Sequence, residues 1–279
     1  MIIVQLVGGL GNQLFQYVAA RRLAHVHNTV LKLDISAFEK YTLHAYHLNY
    51  FNIIENIATA NEIETIKGNN DIACNCLGRV IREQSFNFDP GILYLPDNVY
   101  LQGYWQSEKY FADIKHIIIK EFTVKYALDA RNKEIADSIN NCSSVSLHIR
   151  RGDYASNPHT NSVHGICSLE YYQRCIAEMV EAVSEPHFFV FSDDPEWVME
   201  NIKLEYPMTL IDHNGPERDY EDLRLMSMCK HNITANSTFS WWAAWLNPNP
   251  KKMIFVPERW FQNEKTDTSD LIPDNWQKV

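Results

Sequence analysis

No run of apolar residues in the chain approaches the roughly 18 that a membrane-spanning helix requires. There is no excess of positive charge either: Lys and Arg number 25 against 35 Asp and Glu, for a formal net charge of -10. That balance argues against a surface that grips nucleic acid or anionic lipid non-specifically, so any phosphate must be bound locally. Cysteine is sparse and scattered (Cys74, Cys76, Cys142, Cys167, Cys175, Cys229), which fits reduced thiols rather than a disulfide framework. Cys74-Asn75-Cys76 is too tightly spaced for a zinc loop, and no matching Cys or His pair follows it. The opening Met1-Ile2-Ile3-Val4-Gln5 has no basic stretch and no cleavage pattern of a secretory signal. A cytoplasmic protein is expected, with peripheral association at the inner face of the cell membrane left open.

What is present is an ordinary globular composition, 46% apolar and 22% charged, in 279 residues, enough for one large or two medium domains. Ile2 to Leu6 reads as a buried strand, Gly8-Gly9-Leu10-Gly11 as a tight loop, Gln13 to His27 as a helix and Thr29 to Leu33 as a second strand. This is a nucleotide-fold beginning in shape. The region 35–96 is less regular and carries Tyr41, His44, Tyr46, His47, Tyr50 and Phe51, candidates for a binding wall. Tyr100 to Trp105 reads as a strand, Ser107 as the cap of a helix reaching about Phe122, and Asp129 as the start of another ending near Asn140. Beyond it, strands ending at Ile149, Phe191, near Ile211, at Ala235 and at Val256 alternate with helices near 168–183, 195–202, 219–228 and 237–246. Such alternation predicts a parallel, doubly wound sheet. The expected division falls near Asn140-Asn141, giving domains 1–140 and 141–279 that face a cleft.

Four segments carry candidate chemistry. His148-Ile149-Arg150-Arg151-Gly152-Asp153-Tyr154 places two guanidinium groups where an apolar strand runs out, the edge at which open α/β sheets bind ligands. A guanidinium suits phosphate because its planar fork donates two parallel hydrogen bonds and stays charged. Phe191-Ser192-Asp193-Asp194-Pro195 ends another strand in two carboxylates, whose alternatives are guanine recognition, since guanine offers paired N–H donors, and capping of the helix that Pro195 opens. A metal reading of the pair is disfavoured because adjacent side chains point apart. Asn236-Ser237-Thr238-Phe239-Ser240 opens a helix with small hydroxyl residues that either cap backbone donors or accompany them onto phosphate oxygens. Trp241, Trp242 and Trp245 in the same helix read as packing residues. The fourth segment, Gly9-Leu10-Gly11-Asn12-Gln13-Leu14, fits the dinucleotide fingerprint at two glycines and fails at the third, where Leu14 stands. With Asp34 about 20 residues on, it keeps a NAD(P)-dependent oxidoreductase as a rival reading. His159 and His164 flank a polar stretch that reads as a loop over the cleft, and a lone histidine there is more often solvated than catalytic.

Taken with Tyr104-Trp105-Gln106-Ser107-Glu108-Lys109-Tyr110-Phe111, these segments make the whole chain resemble the bacterial α-1,2-fucosyltransferases of glycosyltransferase family eleven. His-x-Arg-Arg-x-Asp is also similar to the motif of α-1,6- and protein O-fucosyltransferases, so the resemblance supports fucosyl transfer more firmly than the linkage. It implies an α/β, GT-B-like fold of two Rossmann-like domains, with acceptor bound on the 1–140 side and GDP-fucose on the 141–279 side. The implied reaction is inverting, from GDP-β-L-fucose to the 2-hydroxyl of a terminal β-galactoside, with no metal and no cofactor. Arg150 is implied to hold the β-phosphate, His148 and one of Asp193 and Asp194 the guanine, and Ser237 and Thr238, beside Asn236, the phosphate oxygens. Asn12 is implied to sit by the glycosidic oxygen, and Gly11 beside it to bind GDP-fucose. The general base is open among Asp153, His159 and His164. The implied partners are GDP-fucose and a galactose-terminated oligosaccharide or lipid-linked glycan, not nucleic acid. Vertebrate members carry an N-terminal anchor; this sequence starts at the glycine-loop strand and is expected to be of the soluble bacterial type. A third reading, a non-catalytic glycan-binding module, would use the aromatic stretch before 96.

Overall fold

The computed structural model describes residues 1–40, 43–68, 80–263 and 266–279. Tyr41 and the Cys74-Asn75-Cys76 stretch lie outside the described residues. The chain forms two compact units, Met1–Lys125 with Asp267–Pro273, and Tyr126–Thr266 with Asp274–Val279.

The first unit runs β1 (Ile2–Gln5), α1 (Leu10–Val26), β2 (Leu31–Asp34), α2 (Ala60–Lys67), β3 (Val80–Arg82), β4 (Val99–Gln102) and α3 (Lys115–Glu121), with short 3-10 turns between. Its sheet has the order β2-β1-β4-β3, all parallel. Parallel strands are covered on both faces, which is why β1 is three consecutive buried aliphatics rather than an alternation. The chain diverges from β1 to β2 on one side and has β4 on the other. Between Ser107 and Phe122 the expected single helix is broken. Ser107 caps only the turn Glu108–Tyr110, a second turn covers Ala112–Ile114, and α3 begins at Lys115. Tyr110, Phe111 and Ile114 are buried across the break, and the Tyr110 hydroxyl accepts from Asp89 N at 2.9 Å.

The second unit runs α4 (Ala130–Asn140), β5 (Ser143–Ile149), α5 (Gly152–Ser156), α6 (Pro158–His164), α7 (Leu169–Ala182), β6 (Pro186–Ser192), α8 (Pro195–Asn201), β7 (Met208–Ile211), α9 (Asp219–Met228), β8 (His231–Ile233), α10 (Thr238–Leu246), β9 (Ile254–Val256) and β10 (Gln277–Lys278). Its parallel sheet has the order β10-β9-β8-β5-β6-β7. The division between units lies ahead of α4, not near Asn140, because α4 packs on α9 of this unit. Asn132 of α4 exchanges hydrogen bonds with Asn214 at 2.8 and 3.2 Å.

One face of β5 (Val145, Leu147, Ile149) enters the core with Tyr172, Cys175 and Met179 of α7. Each such fully buried side chain stabilises by about 1.5–3 kcal/mol. The polar face of β5 is buried as well: Ser146 accepts from Asn232 at 2.7 Å, and Asn232 in turn accepts from Asn247 at 2.7 Å. α10 is buried all round through Trp241, Trp242 and Trp245, as the packing reading expected. The stretch before His164 is helical rather than a loop. Asn157 caps α6, accepting from His159 N and Thr160 N, and Pro158 fills the first helical position. That Asn-Pro pair was a start signal present in the sequence.

Candidate active site

From β5 the chain proceeds to β6 and β7 on one side of the sheet, and β8, β9 and β10 lie on the other. The carboxyl ends of β5 and β8 therefore flank the topological switch point, where α/β sheets hold ligands. His148 to Asp153 follow one strand and Asn236 to Thr238 the other, so tertiary structure brings together two segments far apart in sequence.

Arg150 is tethered at this edge. Its Nη2 pairs with Asp153, its Nη1 lies 2.7 Å from Asp193, and its guanidinium carbon stands 5.1 Å from the Tyr154 ring centre. A guanidinium carries five N–H donors, so the two carboxylates fix its plane without exhausting it. Gly152 makes this possible: a Cβ there would stand 2.5 Å from Asp193 Oδ2. Arg151 instead pairs with Asp194 at 3.0 Å and lies over the Trp197 ring at 4.3 Å.

The two aspartates have separate surroundings. Asp194 caps α8, accepting from Trp197 N at 3.1 Å, whereas Asp193 accepts from Arg151 N at 2.8 Å and faces Arg150. Capping is thus Asp194's part of the pair.

His148 is 6% exposed, and its ring centre lies 5.5 Å from that of Phe239 in the first turn of α10. Its Nδ1 is buried without a hydrogen-bond partner among the described residues. Burial drives its pKa down to about 4, Asp193 opposing the shift and Arg150 adding to it, so the ring is neutral at physiological pH. A buried ring nitrogen left unpaired costs free energy, and a ligand edge at this point would relieve it.

Ser237 caps α10, accepting from Phe239 N at 3.3 Å, and Thr238 is the first helical residue. Asn236 is 3% exposed, and its amide donates to the carbonyls of His164 at 2.9 Å and Trp260 at 3.2 Å. It fastens the turn before α10. His164 stacks on Tyr154 with ring centres 4.6 Å apart, its pKa lowered by burial, while His159 is exposed.

In the first unit, Gly8 has φ +81, and a Cβ there would stand 2.8 Å from Asn12 Nδ2. α1 begins at Leu10, so Gly11 and Asn12 lie in its first turn rather than in a loop ahead of it. Buried glutamines hold this turn. Gln13 donates to Gly8 O at 2.9 Å and Ala45 O at 2.8 Å, and Gln16 accepts from Val7 N at 2.9 Å. Gln106, four residues past the end of β4, donates to Asn12 Oδ1 at 3.0 Å. Glu83 accepts from Tyr104 N at 2.6 Å and Trp105 N at 2.9 Å, fixing the bend that delivers Gln106, in which Trp105 has φ +57.

Sequence reasoning passed over these glutamines as individual residues. The available signal was polar residues at helix positions that the apolar period assigns to the core. It also passed over Asp222, in the first turn of α9. That carboxyl accepts from Asn214 at 2.6 Å, and burial pushes its pKa up to about 7. A perturbed acid at the strand-end edge is a site candidate on physical grounds.

Asp34 does not support the oxidoreductase reading. It is 1% exposed, with Oδ2 accepting from Tyr100 at 2.6 Å and Oδ1 from Ser36 N at 3.0 Å, so its carboxylate is spent on the fold. Of the aromatic wall, Phe51 is buried and Tyr46 donates to Glu55 at 2.9 Å. Among the described residues no group of three or more His, Cys, Asp or Glu is arranged to hold a metal ion, and no helix is long and apolar enough to cross a membrane.

Comparison with known proteins gives a consistent result. The alpha-1,2-colitosyltransferase of Escherichia coli is 35% identical over 100% of this chain and 99% of its own length. Galactoside alpha-(1,2)-fucosyltransferase 2 of Pongo pygmaeus is 25% identical over 97% of this chain and 80% of its own. The solved structure of a mutant of Arabidopsis thaliana FUT1 in complex with GDP superposes with a TM-score of 0.55 at 12% identity, covering 99% of this chain and 75% of that one. At that identity the likeness shows the fold alone, which is GT-B-like. Glycosyl transferase family 11 matches residues 1–279 from end to end, and the chain belongs to that family.

Proposed function

We propose that the chain transfers L-fucose from GDP-β-L-fucose to the 2-hydroxyl of a terminal β-galactoside, forming an α-1,2 linkage with inversion. The observation that carries this reading is the meeting, at the β5/β8 switch point, of a tethered Arg150, the capped start of α10 and the neutral, unpaired His148 Nδ1. Each matches one part of a guanosine diphosphate sugar.

In this reading the acceptor hydroxyl oxygen forms a bond to the anomeric carbon and gives up its proton to water, as the bond from that carbon to the β-phosphate oxygen breaks and its electron pair stays on GDP. Negative charge grows on the β-phosphate. Arg150 and the backbone N–H groups at the start of α10 stabilise it. Asp153 and Asp193 hold the guanidinium plane, so it need not reorganise as charge develops. His148, with Asp193 beside it, reads the guanine edge. No metal is required, and Asn12 assists at the glycosidic oxygen. A galactose-terminated glycan, soluble or lipid-linked, is the acceptor, handled at a cytoplasmic membrane face.

A second donor is favoured by the colitosyltransferase relative. Colitose lacks the 3-hydroxyl of fucose, and a site built to hydrogen-bond a hydroxyl discriminates against its absence by roughly 10⁴ or more. The deciding experiment incubates the protein with GDP-fucose or GDP-colitose and a panel of β-galactosides, with and without EDTA, and locates the new linkage by NMR. An α-1,2-fucoside formed equally well in EDTA is the expected result. Transfer of colitose alone, transfer to another hydroxyl, or loss of turnover in EDTA each overturns the corresponding part. Thermal stabilisation by GDP but not by ADP or NAD checks the nucleotide assignment independently.

A further inference from the structure

The first unit carries a concave site away from its glycine turn. A cavity of about 610 Å³ opens between α1 and α3, lined by Arg21 and His25 of the one helix and His116 and Lys120 of the other. Glu121 is the one acid in its wall, and it is already committed: Tyr17 donates to it at 2.6 Å and Arg21 Nε at 2.9 Å. Arg21 is 12% exposed in its side chain, yet only Nε is used. Neither terminal guanidinium nitrogen has a hydrogen-bond partner among the described residues. The side chains of His25, His116 and Lys120 make no hydrogen bond or ion pair there either.

This concentration of unpaired donors stands in a chain with ten more acids than bases, 35 against 25. Arg21 and Lys120 face one acid, Glu121, so the wall carries a net positive charge that an anion neutralises. Arg21 is pre-aimed, because Glu121 fixes Nε and leaves the terminal fork, the geometry that pairs with phosphate oxygens.

We propose that the α1–α3 cavity binds a phosphate-bearing group, as a soluble phosphate ester or as a phospholipid headgroup. The ligand chemistry is the same in both cases, and the site is independent of the donor site of the second unit. The test compares the full chain with the double variant His116→Ala/Lys120→Ala, both positions being exposed on α3. Both proteins retain Arg150, so any difference in inorganic pyrophosphate binding belongs to the cavity. By calorimetry at low salt, the unaltered chain is expected to bind one more equivalent of pyrophosphate than the variant, or to bind it about tenfold more tightly. It is also expected to co-sediment with vesicles of phosphatidylglycerol in phosphatidylcholine, the variant remaining in the supernatant. A difference with pyrophosphate alone assigns the site to soluble esters; a difference with vesicles assigns it to headgroups. Equal behaviour of the two proteins in both arms overturns the proposal.

Discussion

The carboxyl edges of the two sheets are built from opposite materials. Beyond β5 and β6 stand two guanidinium groups and three carboxylates, Arg150 and Arg151 with Asp153, Asp193 and Asp194. Beyond β1 and β4 the corresponding positions carry neutral amides, Asn12, Gln13, Gln16 and Gln106, closed on a glycine turn. A charged edge stabilises a charge that grows during reaction, because its dipoles and ions are already oriented. The amide edge fixes backbone geometry instead, and the one carboxylate at its bend, Glu83, is spent on the N–H groups of Tyr104 and Trp105. Both lie where the chain order diverges in their own sheet, so topology sets the place and residue chemistry sets the use.

Replacing the fork at the charged edge is the harshest way to test this contrast. Arg150→Lys keeps the charge but cannot pair with Asp153, Asp193 and phosphate at once; turnover should fall roughly 100-fold or more, about 3 kcal/mol, with the melting temperature nearly unchanged. Steady-state kinetics beside a thermal melt decides, and near-normal turnover in a folded variant removes Arg150 from its role.

A matched pair of glycine variants sharpens the comparison. Gly152→Ala meets a movable carboxylate, Asp193 Oδ2 at 2.5 Å, so it should cost turnover several-fold and little stability. Gly8→Ala forces an alanine to φ +81 and should cost stability, about 1–2 kcal/mol. Equal effects of the two on both measurements would erase the distinction between the edges.

Smaller effects come from titration. Asp222, with its carboxyl raised to about 7, contributes stability that is complete below the ordinary carboxylate range and is lost as pH rises through 7. Asp222→Asn should therefore raise the melting temperature at pH 8, by about 1–3 kcal/mol of stability, and leave it unchanged at pH 4. His148 runs the other way. Its depressed pKa makes stability full above the ordinary histidine value and lost as pH falls toward 4. The unaltered chain should lose stability across that window, and His148→Gln should flatten the loss; identical pH profiles of the two proteins would show that His148 titrates elsewhere.

Much of this was legible in the sequence. The aliphatic run Ile2 to Leu6 marked β1, the alternation Ser144 to Ile149 marked β5 and the apolar run Phe188 to Phe191 marked β6, while the cap Asp129 and the start Pro195 marked their helices within a residue. His148, Arg150 and Asp193 were legible as candidates because they stand at or just past strand ends, and the structure brings them together at the β5/β6 edge. The broken helix after Ser107 and the committed carboxylate of Asp34 were not, since burial of Tyr110 and the hydroxyl of Tyr100 decide them, and both are long-range facts.

By itself the sequence determined the alternation of strands and helices, the family and the charged character of the β5 edge, because these rest on local period and residue chemistry. Tertiary structure alone decided that β5 and β8 are neighbours, which aspartate caps a helix, and which amides hold the glycine turn. Those depend on which residues far apart in the chain are buried against each other, and no local pattern encodes a partner.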